Sequence, residues 1–320
     1  MDRGLTALRR HCCRCTDQSS FRRNMTVWRK GSMKKSRKQL IYGVLAAGIF
    51  ILLLVLWGSV WRKGPEQNGS GQEGNADIVV LGDSIYGLYR DETGVCAKLE
   101  QYFGKEIFNG ALGGTCMGRL EENRGSSSVK DVFSMVGLSK AIISGDFRLQ
   151  ENTEIRENGT EYFPETIAAL KEIDFSKVEI LFISHCVNDY HSGEVIYGEE
   201  AEDEHTYAGA LRSTLVMLKK AYPKLRIILL TPPFTWYTEQ GLTCEEYVRG
   251  GKVLADYVDA QYVIAEEMNV ELIDLYHDLF PHETWDDWQR YSVDGLHPNE
   301  AGRELIAQTI VAYLTEHPAP

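Results

Sequence analysis

Ser84, Asp294 and His297 are the side-chain types that carry out nucleophilic acyl chemistry together. Ser84 ends the apolar stretch "IVVLGDS", and Asp294 stands three residues before His297 in "VDGLHPN". A serine hydroxyl is a poor nucleophile at neutral pH and needs a base, and a neutral imidazole needs an acceptor that fixes its tautomer. Asp-x-x-His supplies base and acceptor from one short loop. The residues therefore predict a serine nucleophile, provided that the fold brings Ser84 to that loop.

Two further motifs offer groups that stabilise a developing negative charge. In "NGALGG", which starts at Asn109, the paired glycines Gly113 and Gly114 let a backbone N–H approach a ligand without an intervening Cβ. In "HCVNDY", the side-chain amide of Asn188 is a suitable donor to an oxyanion. Taken singly, each motif also fits a structural role, as a chain reversal or an Asx turn. Four such motifs in one chain indicate an active site.

Short aliphatic runs alternate with helix-length amphipathic stretches and predict the elements that position these motifs. Runs of this length without polar alternation are typical of parallel strands covered on both faces. Alternating strands and helices predict an α/β fold, here a three-layer α/β/α sandwich with a parallel five-stranded sheet, in which loops converge at the carboxyl ends of the strands. The predicted strands are residues 77–81, 106–109, 178–184, 225–231 and 270–275, and the predicted helices are 91–103, 207–221, 244–268 and 299–315.

The connection between the second and third predicted strands is far longer than an ordinary crossover. It contains two stretches with helical periodicity, residues 129–143 and 162–173. We therefore expect an insertion at about residues 115–175 that helps to shape the site.

The N-terminal region predicts a membrane anchor. The 22 residues 40–61, from Leu40 to Trp61, contain no charged side chain and match the thickness of the hydrocarbon layer as a helix. The bulky sequence that follows lacks the small-x-small cleavage site of a signal peptide. Residues 1–39 hold 12 Lys and Arg against 2 Asp, which predicts a cytoplasmic tail and an extracellular remainder.

Boundaries within this arrangement follow from composition. Met33 begins a basic stretch typical of a signal anchor, which indicates that residues 1–32 are an upstream extension of the reading frame. Residues 62–75 are rich in Gly, Gln and Glu without an aliphatic residue and are typical of a flexible linker. The predicted folded domain is then residues 76–320, held at the cell membrane by a single span.

Charge and composition narrow the classes of partner. The chain has a formal net charge of −12, and beyond residue 39 acidic side chains are twice as numerous as basic ones. Nucleic acid is therefore excluded as an expected partner, and no protein partner can be inferred. Four cysteines in the outer region, Cys96, Cys116, Cys186 and Cys244, are too scattered to indicate a disulfide scaffold. One bridge would be compatible with the sequence, and none is required.

Some residues could be read as sites of other chemistries. His185, Cys186, Asp189 and His191 resemble a metal cluster in composition, but neighbouring strand residues point to opposite faces, so no metal is expected. The glycine stretch lacks the G-x-G-x-x-G spacing of a dinucleotide site. No cofactor is therefore expected. Trp236 and Trp288 stand in polar surroundings where an aromatic face suits a sugar ring, and packing against the sheet explains them equally well.

The four motifs, in the order GDS, NGALGG, ND and DGLH, resemble the SGNH hydrolases of the GDSL esterase/lipase superfamily, whose blocks are centred on Ser, Gly, Asn and His. The resemblance covers about residues 77–314. It implies a flavodoxin-like version of the predicted sandwich. "FSMVGLSKAIISGDFRLQ" and "NDYHSG" also resemble a group of such hydrolases, membrane-anchored members included, from anaerobic Gram-positive bacteria.

The resemblance implies roles for individual residues. Ser84 would be the nucleophile, His297 the base and then the acid, and Asp294 the residue that orients His297. The oxyanion hole would consist of the N–H groups of Ser84 and Gly114 and the side chain of Asn188, because the family pattern places its glycine five positions after the asparagine.

One position departs from the family pattern. Cys186 stands where the third block usually has glycine, so we expect it to line the substrate pocket. Asp83, Trp236 and Trp288 are the other pocket candidates.

The sequence thus predicts a membrane-tethered, extracytoplasmic serine esterase. It would remove short acyl groups, acetyl first among them, from a carbohydrate or another small ester through an acyl-enzyme. Two alternatives remain open at this point. An O-acyltransferase would use the same triad, and a surface binding module would keep the fold without activity.

Overall fold

The central element is a parallel sheet, seen in a computed structural model that describes residues 76–119, 131–155 and 161–318. Five strands are hydrogen-bonded in the order β2-β1-β3-β4-β7, and every neighbouring pair is parallel. A separate antiparallel hairpin is formed by β5 and β6. The strands are β1 (Ile78–Gly82), β2 (Ile107–Asn109), β3 (Ile180–Ser184), β4 (Arg226–Leu230), β5 (Trp236–Tyr237), β6 (Leu242–Thr243) and β7 (Glu271–Ile273).

The five predicted strands are confirmed, because each is hydrogen-bonded into the parallel sheet. Every residue of β1 and β3 is buried, as expected for strands covered on both faces. The sheet registers place Gly82 beside Ser184, so β1 and β3 end side by side. Both strands therefore lead into their loops at the same edge of the sheet.

The helices cover the sheet. The longer ones are α2 (Val95–Phe103), α3 (Met135–Ser144), α5 (Phe163–Lys171), α7 (Tyr207–Ala221), α8 (Leu254–Met268) and α10 (Glu300–Glu316). The short ones are α1 (Ser84–Gly87), α4 (Arg148–Glu151), α6 (Val187–Ser192) and α9 (Trp288–Tyr291), which follows a 3-10 turn at Trp285–Asp287. α2 contacts α10, whereas α7 contacts α3 and α8.

Sheet order and crossover handedness together produce the layers. The chain moves one way along the sheet from β1 to β2 and the other way from β3 to β4 and β7. Right-handed crossovers in opposite directions place α2 on one face of the sheet and α7 and α8 on the other. The strand order reverses at β1, and the crevice beyond the carboxyl end of such a strand is where ligands bind in open α/β sheets.

The structure differs from the predictions in two features. The helix predicted over residues 244–268 begins only at Leu254, because Gly250 and Gly251 have φ values of 54° and 81° and interrupt helical geometry. The hairpin of β5 and β6 was not predicted from the sequence. Both differences lie between β4 and α8. This segment contacts the Asp-x-x-His loop, because the backbone N–H of Trp236 donates to the Gly295 carbonyl at 2.8 Å.

The predicted tail, span and linker lie outside the described residues. Within residues 76–119, 131–155 and 161–318, no helix combines the length and the apolar character needed to cross a membrane. In the same ranges the four cysteines are buried and form no disulfide.

Candidate active site

The end of β1 presents Ser84. Gly82 lies so close to β3 that a Cβ there would be 3.0 Å from the Ser184 carbonyl oxygen. The Asp83 carboxylate then accepts a hydrogen bond from the backbone N–H of Ile85 at 3.0 Å and caps α1. Ser84 is therefore the first residue of a short helix. Its own N–H has no intrahelical partner, as is usual at that position.

The Asp-x-x-His loop is held by a side chain that was not predicted to matter. The Ser292 hydroxyl donates to the His297 carbonyl at 2.9 Å and accepts from the Gly295 N–H at 2.7 Å. Gly295 has φ of 97°, and a Cβ there would be 2.2 Å from the Trp236 carbonyl oxygen. Asn299 caps α10 by accepting from the Gly302 N–H at 3.0 Å. The loop is thus fixed between β5 and α10.

The structure brings the three predicted catalytic side chains into one hydrogen-bonded chain. The His297 Nε2 atom lies 3.0 Å from the Ser84 hydroxyl oxygen, and its Nδ1 atom lies 2.7 Å from the Asp294 Oδ2 atom. The second Asp294 oxygen accepts from the N–H groups of Leu296 at 2.9 Å and His297 at 2.7 Å. This is the geometry in which an imidazole takes a proton from serine.

Asp294 is ionised in this arrangement. Partial burial alone would raise the pKa of Asp294, but hydrogen bonds from the His297 ring and from the His297 and Leu296 N–H groups outweigh it and lower the pKa to about 2. A carboxylate that stays charged stabilises the imidazolium formed when His297 takes the serine proton.

The structure distinguishes the two neighbouring glycines. The Gly113 N–H donates to the Tyr162 hydroxyl at 2.7 Å. Gly114 has φ of 74°, and within the described part of the chain its N–H has no acceptor. Gly114 is therefore the residue whose N–H is available to an oxyanion, which agrees with the register implied by the family pattern.

Asn188 lies at the start of α6, directly after β3. One proton of its side-chain amide goes to the Thr115 carbonyl oxygen at 3.0 Å, and the second proton is available because an amide nitrogen has two. The neighbouring Asp189 accepts from the N–H groups of Met117 at 2.8 Å and Gly118 at 3.1 Å. Asn188 and Asp189 thus connect the end of β3 to the glycine turn that follows β2.

The pocket candidates are buried or partly buried. The Cys186 side chain is 2% exposed and belongs to the core. Asp83 is also buried and uses its carboxylate to cap α1. Trp288 is partly buried against the core on α9. None of these three lines the cleft described next.

A cleft of about 380 Å³ opens beside Asp294. Trp236 borders it but is 1% exposed, because its ring packs edge-on against Phe234 at 5.0 Å. The open surface consists of aromatic and polar side chains, and the His191 Nε2 atom lies 2.8 Å from the Tyr237 hydroxyl. The remaining lining residues are Thr238, Glu239, Gln240, Tyr247, Arg249 and Leu296.

Sequence reasoning missed residues that support the site from a distance along the chain. Tyr162 belongs to the predicted insertion, and Arg90 stacks over its ring at 4.7 Å. No short-range pattern connects Tyr162 with Gly113. The supporting role of Asp189 could have been inferred from the sequence, because Asp189 directly follows Asn188. Among the described residues, no group of three or more His, Cys, Asp or Glu side chains is placed to hold a metal ion.

Known proteins share the sequence pattern and the fold. The model of the GDSL-like lipase/acylhydrolase family matches residues 80–305. A GDSL esterase/lipase from Arabidopsis thaliana is 28% identical over 121 residues, which are 35% of this chain and 48% of that relative. The chain thus matches about half the length of this relative. The crystal structure of a protein from Lactobacillus plantarum has a TM-score of 0.55 at 19% identity and covers 78% of this chain and 100% of its own.

The family match includes all four motifs in their order along the chain, and the L. plantarum structure shares the fold into which they are set. The chain therefore belongs to the GDSL-like lipase/acylhydrolase family.

Proposed function

We propose that this protein is a serine esterase that removes short acyl groups, acetyl first among them, from an acylated carbohydrate, and that residues 40–61 tether it to the membrane with the folded domain outside the cell. The observation that carries the proposal is the continuous hydrogen-bonded chain Ser84–His297–Asp294, at 3.0 and 2.7 Å. Its orientation suits proton removal from the serine.

The reaction follows from the geometry. His297 takes the Ser84 proton through Nε2 as the serine oxygen attacks the ester carbonyl, and the charged Asp294 stabilises the imidazolium. The oxyanion receives hydrogen bonds from the N–H groups of Ser84 and Gly114 and from the Asn188 amide. His297 then protonates the leaving alcohol, the ester bond breaks, and water activated by the same imidazole hydrolyses the acyl-enzyme.

Crowding beside the nucleophile supports a short acyl group. A Cβ on Gly113 would lie 3.2 Å from the Tyr162 hydroxyl and 3.6 Å from the Ser84 Cβ, so the space at Gly113 is closed by both side chains. Tyr162 is also fixed from two sides, by the Gly113 N–H and by Arg90. Long acyl chains would have to displace these groups.

The cleft beside Asp294 supports a carbohydrate on the alcohol side of the ester. It combines aromatic rings, such as Tyr237 and Tyr247, with hydrogen-bonding side chains, such as Gln240 and His191. Rings of hydroxyl-bearing sugars pack on aromatic faces while polar groups bind their hydroxyls. The uncharged residues 40–61 and the basic residues before them support the membrane location.

Ester turnover by the full-length chain in mild detergent tests the proposal. We expect kcat/KM for p-nitrophenyl esters to fall at least about tenfold from acetate to octanoate, because the longer chain must displace Tyr162. Ser84→Ala should abolish turnover, whereas Ser176→Ala, at an exposed serine remote from the site, should leave it unchanged.

Wild-type turnover no greater than that of Ser84→Ala would refute the esterase. Equal turnover of acetate and octanoate would refute the short-acyl preference alone. Acyl transfer to added sugar alcohols, followed by product analysis, would identify the transferase alternative, because both reactions use the same triad.

A further inference from the structure

His185 is a buried imidazole that the reaction above does not use. It directly follows β3, is 0% exposed, and its backbone carbonyl accepts a hydrogen bond from the Tyr207 hydroxyl at 3.2 Å. Its Nε2 atom lies 3.2 Å from the Thr115 hydroxyl oxygen. Its Nδ1 atom has no hydrogen-bond partner in the described part of the chain.

Counting protons determines which of the two atoms donates. The Thr115 hydroxyl has one proton, and that proton goes to the Leu112 carbonyl at 2.7 Å. Thr115 Oγ1 must therefore accept from His185, which makes His185 the neutral tautomer protonated at Nε2. Burial lowers the pKa of His185 to about 3, so the imidazole stays neutral over the working range of an esterase.

Thr115 connects this hydrogen bond to two groups of the oxyanion hole. Its hydroxyl closes the turn from Leu112 to Thr115, which contains Gly114, and its carbonyl accepts the Asn188 amide proton at 3.0 Å. The hydrogen bond from His185 thus restrains the residue that orients Asn188 and that ends the Gly114 turn. Without it, the Thr115 hydroxyl loses the only donor that the described residues give it.

We propose that His185 is a positioning residue of the oxyanion hole, which acts through Thr115 to hold the Asn188 amide and the Gly114 N–H in the geometry that an oxyanion needs. This inference rests on the proposed function, because the hole affects only the turnover of an acyl substrate. Oxyanion donors act chiefly in the transition state, so a displaced donor lowers kcat with little change in KM.

The test uses two replacements of His185 in the full-length chain. His185→Leu removes the Nε2 donor, and His185→Gln keeps an N–H donor at a similar distance from the backbone. With p-nitrophenyl acetate we expect His185→Leu to lower kcat by about 10- to 100-fold with KM within about twofold of wild type. His185→Gln should restore kcat to within about threefold. Gln261→Leu, another buried polar position in α8, should leave kcat unchanged.

A double-mutant cycle separates positioning from a general loss of packing. If His185 acts through Asn188, His185→Leu should lower kcat far less in an Asn188→Ala background than in wild type. An equal loss in both backgrounds, or no loss in wild type, would overturn the inference. Thr115→Val, which keeps the side-chain shape and removes the hydroxyl, should reproduce the kcat loss and replaces His185→Leu if that variant does not fold.

A spectroscopic readout keeps this inference distinct from the proposed function. The side-chain amide resonances of Asn188, assigned by their disappearance in Asn188→Ala, should shift in His185→Leu and return towards wild type in His185→Gln. Unchanged resonances would overturn the positioning role even when the esterase is active. Wild-type turnover equal to that of Ser84→Ala would instead overturn the proposed function.

Discussion

At the scale of single residues, the two oxygens of Asp294 have separate tasks. Oδ1 accepts two backbone N–H groups and holds the loop, whereas Oδ2 accepts the imidazole N–H of His297. The hydrogen bonds that lower the pKa of Asp294 to about 2 keep both oxygens as acceptors at any ordinary pH. Charge and loop geometry are thus set by the same three hydrogen bonds.

Asp294→Asn should therefore separate geometry from proton transfer. The asparagine oxygen can still accept the backbone N–H groups, but an NH2 group at the Oδ2 position would face Nδ1 and favour the tautomer protonated at Nε2. That tautomer cannot take the Ser84 proton, so we expect kcat for p-nitrophenyl acetate to fall by about 10³-fold or more. Asp286→Asn, an exposed carboxylate shortly before the loop, is the matched control. A loss below about tenfold would contradict the assigned role.

At the scale of elements, the site is built from the loops that follow the strands, and these loops support one another. The hairpin of β5 and β6 lies against the Asp-x-x-His loop through the Trp236 N–H and the Gly295 carbonyl. Trp236 thus contributes to the site through its backbone, while its ring belongs to the core. The tight approach at Gly295 is the point where this support is most sensitive to substitution.

Gly295→Ala should damage both stability and turnover. Its Cβ would have to lie 2.2 Å from the Trp236 carbonyl oxygen at φ of 97°, so the loop must shift and move His297 away from Ser84. We expect the free energy of unfolding to fall by more than about 2 kcal/mol and kcat to fall at least tenfold.

Gly241→Ala is the matched control for this substitution. Gly241 has φ of 65° in the turn between β5 and β6, and a Cβ there meets nothing within 4 Å. It should cost about 1 kcal/mol from backbone strain and leave kcat unchanged. Denaturant unfolding and esterase assays of both variants check this, and equal effects on kcat would show that the close approach at Gly295 does not matter.

At the scale of the whole molecule, fully buried carboxyls and partly buried, hydrogen-bonded carboxyls make opposite contributions to the pH dependence of stability. The pKa values of Asp83 and Asp189 are raised from 3.8 to about 7, first of all because burial disfavours the charged form. The pKa values of Asp294 and Glu304 are lowered to about 2, where hydrogen bonds to His297 and to Tyr102 outweigh partial burial.

The sign of the pH dependence follows from these shifts. Between about pH 4 and 7 the unfolded chain releases the protons of Asp83 and Asp189 while the folded chain keeps them, so stability falls as pH rises. Below about pH 4 the contributions of Asp294 and Glu304 are lost as those groups become protonated. We therefore expect the highest Tm near pH 4 to 5 and a lower Tm at pH 8.

Asp83→Asn tests the source of that decline. The amide oxygen can still accept the Ile85 N–H, and the side chain no longer ionises, so the fall in unfolding free energy between pH 5 and 8 should shrink by on the order of 3 kcal/mol. Asp278→Asn, at an exposed carboxylate, should keep the wild-type slope. Thermal melts at several pH values measure this, and a wild-type slope in Asp83→Asn would rule out Asp83 as its cause.

Much of the fold was predictable because its signals are local. Buried parallel strands have uninterrupted aliphatic sequences. All five predicted strands therefore match the observed ones within two residues at each end. The contact between Asp294 and His297 is also local, since a spacing of three residues lets one turn bring the side chains together. The helix predicted over 244–268 was too long. Its apolar residues keep helical spacing across the two glycines that interrupt the helix, so the spacing alone does not show the interruption.

The sequence by itself determined the α/β order, the strand ends at which the polar motifs stand, and the Asp-x-x-His pair. Only the tertiary structure decided the meeting of Ser84 with His297, which are 213 residues apart, and the hydrogen bond of His185 with Thr115. It also decided that Cys186 and the Trp236 ring belong to the core. Local patterns reflect backbone geometry and burial, which neighbouring residues share. Contacts across the fold depend instead on how turns such as the one at Gly295 direct each loop, and no short stretch of sequence encodes that direction.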